Sequence, residues 1–519
     1  MHNSSARFSS RRLHDHSARL GCRWHTRWIA ITLSASCAAA LADDPIFGSG
    51  FEAECPGAAV GVIAGTGSSL LLRGTVVTPT VAFLGEVLVE GDTITCAAAS
   101  CAGQTGASTA SIIETRGLIF PGLIDASNAA LFGAFDEDDW SPEQLYTNHV
   151  QWQSDARYGA LVDAKKYLNG EGASPVELGC ELDKYGELIA MLGGATSVVA
   201  KANPPDLACY GSLTRTIDQA PNDLGTDSIQ VALLFPATPA ADGVCSNLNS
   251  SQTDAYVINI AEGVDNVARN EFVQLGTITT IDGCLYAPQT VIVGGAALGE
   301  PELAIMGAQG MSLVWQPRSD VRLYGATANV PLALADSINV ALSANGSING
   351  SHDLLAALRY ARAYSTAQWG AAVSDVELVQ MVTTRAAKAL ALDTALGSIA
   401  VGKKADLTVV SANTCSAPWS ALVNARKRDI RMVMIGGVAL YGDVALQAAA
   451  PVTPGCEALN VCGVSKFVCV AESGGTVADK LGQTLAEITG GLTAGFQDYD
   501  ALDLSPWNFS PLAPLATCP

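Results

Sequence analysis

The sequence predicts an α/β protein, a barrel of alternating strands and helices with short β segments on both sides. Three observations carry this. From residue 118 to about residue 400, apolar β-rich runs recur with helix-compatible stretches between them. Buried parallel strands read as continuous apolar runs, so the repetition points to βα units closing on one core. Two-residue turns, Gly91-Asp92 and Gly436-Gly437, sit between β-prone runs before and after this region, as in hairpins. A doubly wound open sheet is the alternative, but no Gly-x-Gly-x-x-Gly follows a strand in a form suited to a dinucleotide.

Taken in order, the chain opens on a leader. Six arginines (7, 11, 12, 19, 23 and 27) precede an apolar stretch, Trp28 to Ala40, which ends in Ala40-Leu41-Ala42 before Asp43. A basic region, a short apolar run and a small-x-small cleavage site describe a secretory signal peptide over 1–42, and the run is too short for a membrane anchor. A small β unit follows over 43–120, with strands predicted around Leu70–Val77, Glu86–Glu90, Thr93–Cys96 and Ser111–Ile113. The barrel is predicted over 121–399. Its strand runs are Leu118–Asp125, Ser197–Lys201, Ile229–Phe235, Tyr256–Ile260, Thr290–Val293, Ser312–Trp315 and Val340–Leu342. Ser374-Asp375-Val376-Glu377 is a capping box, Val373 and Leu378 form its hydrophobic staple, and Val379, Val382 and Ala386 continue a helix from it. Strands return at Leu407–Val410, Val433–Ile435 and Val438–Leu440, so 400–447 belongs with the first β unit. An extension, 448–519, holds four cysteines and a helix near 477–489.

The sequence has 29 basic and 50 acidic residues, a net charge of −21. The leader carries six Arg and one Asp, so cleavage leaves 23 basic and 49 acidic residues, net −26. Such a surface excludes nucleic acid and anionic lipid as partners and favours solubility. Twelve cysteines remain after cleavage, an even number that fits an exported chain with up to six disulfides. Cys96 and Cys101 are placed to close a tight loop, and the cluster at 456–469 to tie down the tail with Cys518. The protein is thus expected to be periplasmic or extracellular, with no membrane contact after cleavage. Only His149 and His352 lie beyond the leader, too few for a histidine-rich metal site.

The stretch "ELVQMVTTRAAKALALDTALGSIAVGKKADLTVV" (377–410) resembles the amidohydrolase superfamily. The shared features are Thr384, Ala387, Gly397-Ser398-Ile399 and Gly402-Lys403-Lys404-Ala405-Asp406, followed by a strand. "RMVMIGGVALYGD" (431–443) resembles the family's closing hairpin, and "GLIFPGLIDAS" (117–127) its entry into the first barrel strand. The resemblance covers roughly 70–445 and is nearest to the metal-dependent deaminase and imidazolonepropionase-like branch. It implies a (β/α)8 TIM barrel with a small β-sandwich built from both sides of the barrel, in agreement with the strand runs.

The resemblance also implies a site in which zinc or iron activates a water for attack at a C–N carbon. Its ligands are an His-x-His pair after strand one, a His on strand five, a His on strand six and an Asp on strand eight. Those positions fall on Ser127 and Ala129, on Asn259 of "YVINIAEG" (256–263), on Gly294 of "VIVGG" (291–295) and on Asn345 of "VALSANGSINGS" (340–351). Ala129 and Gly294 have no donor, and Ser127, Asn259 and Asn345 offer only neutral oxygens, which suit neither metal. A calcium-like set with Asp125 would lack the several carboxylates such sites use. Glu262 keeps the family's proton-shuttle position, and Asp125 with Arg318 and Ser319 of "PRSD" (317–320) are candidate pocket residues. Ser127 has no His to act as its base, so it reads as a small filler. His149 reads as packing and His352 as a loop residue.

Two functions compete at this stage. One is an exported pseudoenzyme without a metal cofactor that binds a small molecule or an active paralogue. The other is an active hydrolase of non-peptide C–N bonds, of cyclic amide or amidine type, working through a different constellation. Loss of every ligand position with the fold signals intact favours the first.

Overall fold

A computed structural model of the chain describes residues 55–518, except 56–57, 173, 202–212, 220–221, 223, 225–227, 414, 453–454 and 472–481. The predicted leader lies outside the described residues. No helix among the described residues is long and apolar enough to cross a membrane.

Eight parallel strands form the barrel. Strands one to three, Leu123–Asp125, Ala195–Val198 and Arg215–Thr216, make one arc, and strands four to eight, Ile229–Ala232, Ala255–Ile260, Thr290–Gly294, Ser312–Trp315 and Asn339–Leu342, make the other. Within each arc the strands follow chain order. Strand alternation sorts their side chains into two cores. Ala255, Val257, Val291, Val293, Val314 and Ala341 pack with Ile124 and Ile229 in an inner cluster. Tyr256, Ile258, Ile260, Ile292, Leu313, Trp315, Val340 and Leu342 belong to the larger outer core. Asn259 shares the parity of Ala255 and Val257 and is therefore on the inward row.

Strands eight and one do not share a ladder. The gap is bridged at the strand exits, where Ala344 N donates to Asp125 Oδ1 (3.2 Å) and Asn345 N to Ser127 O (3.2 Å).

The predicted run Leu118–Asp125 divides at Gly122. Its first part ends the sandwich strand Ser111–Pro121 and its second is barrel strand one. A β-carbon at Gly122 would lie 2.1 Å from Thr196 Oγ1, so only glycine lets the chain turn there. The third strand has no counterpart among the predicted runs. It is two residues long and carries a buried arginine, Arg215, so apolar patterning gives no sign of it. The predicted helix from Asp375 is broken into Asp375–Met381 and Thr384–Ala389, although its capping box and buried Val373 and Leu378 form as expected. The break frees Val382 O to accept from Ile124 N of strand one at 2.8 Å.

The second layer is a ten-stranded sheet in which Leu70–Val77, Ala82–Glu90, Thr93–Ala98 and Ser111–Pro121 join Leu407–Val410, Ile430–Ile435 and Val438–Asp443. It rolls back on itself, since Ile94 N donates to Lys403 O (2.9 Å) and Ala405 N to Asp92 O (2.7 Å). The sheet takes in more of the chain than 43–120 with 400–447: the hairpin Glu457–Val461 and Val464–Val468 extends it at one edge. The C-terminal helix is Leu485–Ala501, later than the predicted 477–489, and begins at a capping box from Thr484 to Glu487. Residues 477–481 lie outside the described residues.

Disulfides join Cys55–Cys415, Cys96–Cys101, Cys245–Cys284, Cys456–Cys469 and Cys462–Cys518. Cys180 is also disulfide-bonded. The tight 96–101 loop and the tethered tail agree with the sequence reading.

Candidate functional site

The residues singled out from the sequence converge on the ends of the barrel strands where such barrels carry their sites. Asp125 closes strand one, Asn259 lies on strand five with Glu262 just beyond it, Gly294 closes strand six, and Asn345 follows strand eight.

Asn259 is the centre of the arrangement. An amide on an inward-facing row costs about 1–3 kcal/mol if its ends stay unbonded, and here both are used. Its Oδ1 accepts from Lys201 Nζ at 2.7 Å, and its Nδ2 donates to Glu262 Oε1 at 3.3 Å. The same Glu262 oxygen accepts from Gln316 Nε2 at 2.7 Å. Burial raises the Glu262 carboxyl above its usual range, against the opposing charges of His149 and Lys201. Burial also lowers the half-buried Lys201 ammonium to about 8, although Glu262, Asp218 and Asp125 pull the other way.

Gly294 has φ +89°, and a β-carbon there would stand 2.6 Å from Glu262 Cγ and 3.2 Å from Gln316 Nε2. The space a side chain from strand six would fill is held by the Glu262 stem. Asn345 has φ +59° and donates from Nδ2 to Ser319 Oγ at 3.0 Å. Ala129 lies against Gly346, whose β-carbon would meet it at 3.2 Å. Ser127 is fully buried, and its Oγ has no hydrogen-bond partner among the described residues. Asp125 accepts from Asn128 Nδ2 (2.8 Å), Ala344 N (3.2 Å) and Ser127 N (3.4 Å). Burial outweighs these bonds and pushes its carboxyl up to about 7.

Arg318 is elsewhere. It pairs with Glu137 and donates to Gly350 O, and it lines a cavity of about 510 Å³ with His352, Arg359 and Tyr360. Asp125, Asn259, Glu262 and Ser319 do not line that cavity. Of the three candidate pocket residues, Asp125 and Ser319 join the barrel mouth and Arg318 the neighbouring cavity.

Both histidines among the described residues are engaged. His149 is buried, with Nε2 2.5 Å from Glu271 Oε1, and this bond raises its pKa. Glu271 Oε2 accepts from Ala261 N (2.8 Å) and His149 N donates to Glu262 O (3.0 Å), so the pair fixes the exit of strand five. His352 sits between Lys427 Nζ (3.0 Å) and Pro514 O (3.1 Å). It anchors the C-terminal tail, which a loop assignment alone did not suggest.

Sequence reasoning missed Lys201, Gln316 and Glu271. For Lys201 a signal was present, because a charged residue closes the apolar run "SVVAK" (197–201). Gln316 and Glu271 carry no pattern of their own.

These donors do not fit zinc or iron. Gly294 and Ala129 contribute nothing, Asn259 Oδ1 is bonded to an ammonium, and a side chain at 294 would collide with Glu262. Among the described residues no group of three or more His, Cys, Asp or Glu is arranged to hold a metal ion.

The strands define a TIM-barrel protein with its candidate site at the strand exits, and comparison with known proteins finds similar chains. Residues 265–440 match the Amidohydrolase family. The 5-methylthioadenosine/S-adenosylhomocysteine deaminase of Syntrophobacter fumaroxidans is 32% identical over 162 residues, 30% of this chain and 37% of that protein. The match thus spans little more than a third of that relative's length. The 5′-deoxyadenosine deaminase of Methanosarcina mazei is 21% identical over 396 residues, 69% of this chain and 88% of its own. Among solved structures, atrazine chlorohydrolase from Arthrobacter aurescens TC1, complexed with zinc, aligns with TM-score 0.56 at 16% identity, covering 74% of this chain and 96% of that one. Guanine deaminase from Bradyrhizobium japonicum aligns with TM-score 0.54 at 14% identity, covering 72% and 100%. These structures show the shared fold. The match over 265–440 takes in 377–410 and most of 431–443, the stretches from which the resemblance was read.

Proposed function

We propose that the protein is an exported, deaminase-like barrel that binds a small molecule at its mouth without metal-activated hydrolysis. One observation carries the reading: the volume and lone pairs a metal would need are taken by the chain itself, through the Glu262 stem against Gly294 and the Lys201 ammonium on Asn259. The half-buried Lys201 ammonium supplies positive charge but no open coordination position for water. Elemental analysis of the folded, full-length product tests this. Zinc and iron are expected well below one per chain, with no ammonia released from guanine or 5′-deoxyadenosine after zinc is added. Stoichiometric metal together with ammonia release overturns the proposal.

Export belongs to the same proposal, supported by the leader pattern and by the disulfides, which persist in oxidising compartments. N-terminal sequencing of the secreted or periplasmic product should begin near Asp43, and a cytoplasmic chain with an intact leader would count against it.

A specific observation favours the second reading. Asp125 and Glu262 are raised and Lys201 lowered, so three groups that interact at the mouth exchange protons closer to neutral pH than usual. If ammonia release survives chelation and is lost in Glu262→Gln, the protein is a metal-independent hydrolase of C–N bonds.

A further inference from the structure

We propose that Lys201 is a carbonyl-capturing amine, which forms an imine with a small neutral aldehyde or ketone admitted at the barrel mouth. This rests on the metal-free reading above, because the amine takes the place in which a metal would polarise the ligand.

Lys201 differs from the buried Lys427 and Lys466 in how its donors are spent. Lys427 Nζ donates to Leu515 O (2.6 Å), faces His352 Nδ1 (3.0 Å) and pairs with Asp353 (3.5 Å). Lys466 Nζ donates to Arg428 O (3.0 Å), Ile430 O (2.5 Å) and Asp443 Oδ1 (2.5 Å). Each is a structural peg with no free direction. Among the described residues Lys201 Nζ has one hydrogen bond, to Asn259 Oδ1. Two of its three directions have no partner among the described residues, at the exit of strand two and facing Asn259 of strand five.

Its backbone is held in place. Lys201 has φ +51°, and both its N–H and that of Ala200 donate to Asp218, at 3.1 and 2.9 Å. A desolvated lysine of this kind, with a partly neutral amine near physiological pH, is the form used as a nucleophile toward carbonyl carbon. Glu262 lies one amide away, through Asn259, and burial keeps a proton on it to higher pH than usual. Ser127 Oγ, buried with no partner among the described residues, is a spare hydroxyl on the loop leaving strand one.

The step balances without any co-reactant. The amine lone pair forms the C–N bond, and the carbonyl oxygen takes a proton from Glu262. The nitrogen returns a proton to the Glu262 carboxylate. The hydroxyl of the resulting carbinolamine is protonated in turn and leaves as water, giving the C=N bond. The ligand is neutral because the amine that would pair with a 2-oxo acid's carboxylate is the one spent in the C–N bond, and its neighbours Asp125, Glu262 and Asp218 are acids.

The test uses the disulfide-bonded mature protein with propanal and sodium cyanoborohydride, followed by peptide mass mapping. Exposed Lys166 and Lys388 serve as internal standards. Alkylation of Lys201 at least about tenfold faster than at those two is expected, as is about a hundredfold slowing in Glu262→Gln, the lower end of what general acid–base groups contribute. Lys201→Arg keeps the cation and should melt like the parent while losing the adduct. Lys201 left unmodified in zinc-free protein, with Lys166 and Lys388 alkylated, overturns the capture and leaves the metal-free reading standing. Stoichiometric zinc in the same preparation overturns that reading itself. Capture unchanged in Glu262→Gln overturns the proton delivery assigned to it.

Discussion

A β-carbon on Gly294 would stand 2.6 Å from Cγ of Glu262. Real β-carbons do not approach other carbons so closely, and Glu262 has little room to yield. Its Oε1 is held by Gln316 and Asn259, and its backbone carbonyl by His149. The family resemblance places a ligand at position 294 and a proton shuttle at 262; here 294 is a glycine and the Glu262 side chain fills the space beside it.

Gly294→Ala should therefore cost about 2–5 kcal/mol, combining overpacking of about 1–3 kcal/mol with the strain of a left-handed residue. Urea unfolding measures it. In Gly294→Ala/Glu262→Ala the cost should fall below the sum of the two single changes, since the second removes the atom the first collides with. Additive costs would show that the contact is not what makes 294 a glycine. Gly294→His should recruit no zinc.

Asp125 links protonation to folding. Its carboxyl is raised from the usual 3.8 to about 7 by burial. The folded state thus prefers the protonated acid, and this stabilisation is complete below about pH 3.8 and lost as pH rises towards 7. A gap of about three pH units corresponds to a change on the order of 4 kcal/mol. Asp125→Asn cannot ionise, so its stability relative to the parent should rise between pH 4 and pH 7.5. A difference that stays constant over that range would place the ionised carboxylate in the folded protein throughout.

What the sequence made legible follows from which interactions leave a pattern. The barrel strands are buried on both faces, so "YVINI" (256–260) and "VIVGG" (291–295) read directly as parallel strands. Hairpin turns and the capping box at Ser374 are local chemistry and formed where expected. Arg215–Thr216 was invisible because its place is set by a partner 191 residues away, Asp406, rather than by its own composition. The same applies at the site. Asn259, Gly294 and Asn345 were located through their neighbours in sequence, whereas the occupation of that volume by Lys201 and Glu262 depends on three strands meeting. No local pattern encodes such a meeting.

The Arg215–Asp406 pair explains the Gly402–Asp406 segment in physical terms. Arg215 Nε and an Nη donate to Asp406 at 2.8 and 3.0 Å, and both side chains are only 3% exposed. Asp406 also accepts from Gly436 N at 2.8 Å, and its carbonyl accepts from Gly122 N at 2.7 Å. One residue so ties barrel strand three, the entry to strand one and the sandwich hairpin. Asp406→Ala strands the buried guanidinium and should cost about 3–5 kcal/mol. Asp406→Ala/Arg215→Met removes both charges and should recover part of that loss. Equal stability of the single and double variants, by thermal unfolding, would show that the pair contributes little.

The tail provides the last test. Cys462–Cys518 closes a loop with a sequence separation of 56, which restricts the unfolded chain by about 4 kcal/mol in the chain-entropy account. Within that loop Ala513 N donates to Ala134 O (3.1 Å), Tyr185 donates to Ala513 O, and Lys427 Nζ and His352 hold Leu515 O and Pro514 O. Those bonds dock the tail beside the loops leaving strands one and eight whether or not the disulfide is closed. Cys462→Ser/Cys518→Ser should accordingly lower global stability by up to about 4 kcal/mol while leaving amides near Ala513 protected against hydrogen exchange in the folded state. Fast exchange at Ala513 in the variant would mean that the disulfide, rather than the Lys427 and Tyr185 contacts, keeps the tail at the barrel.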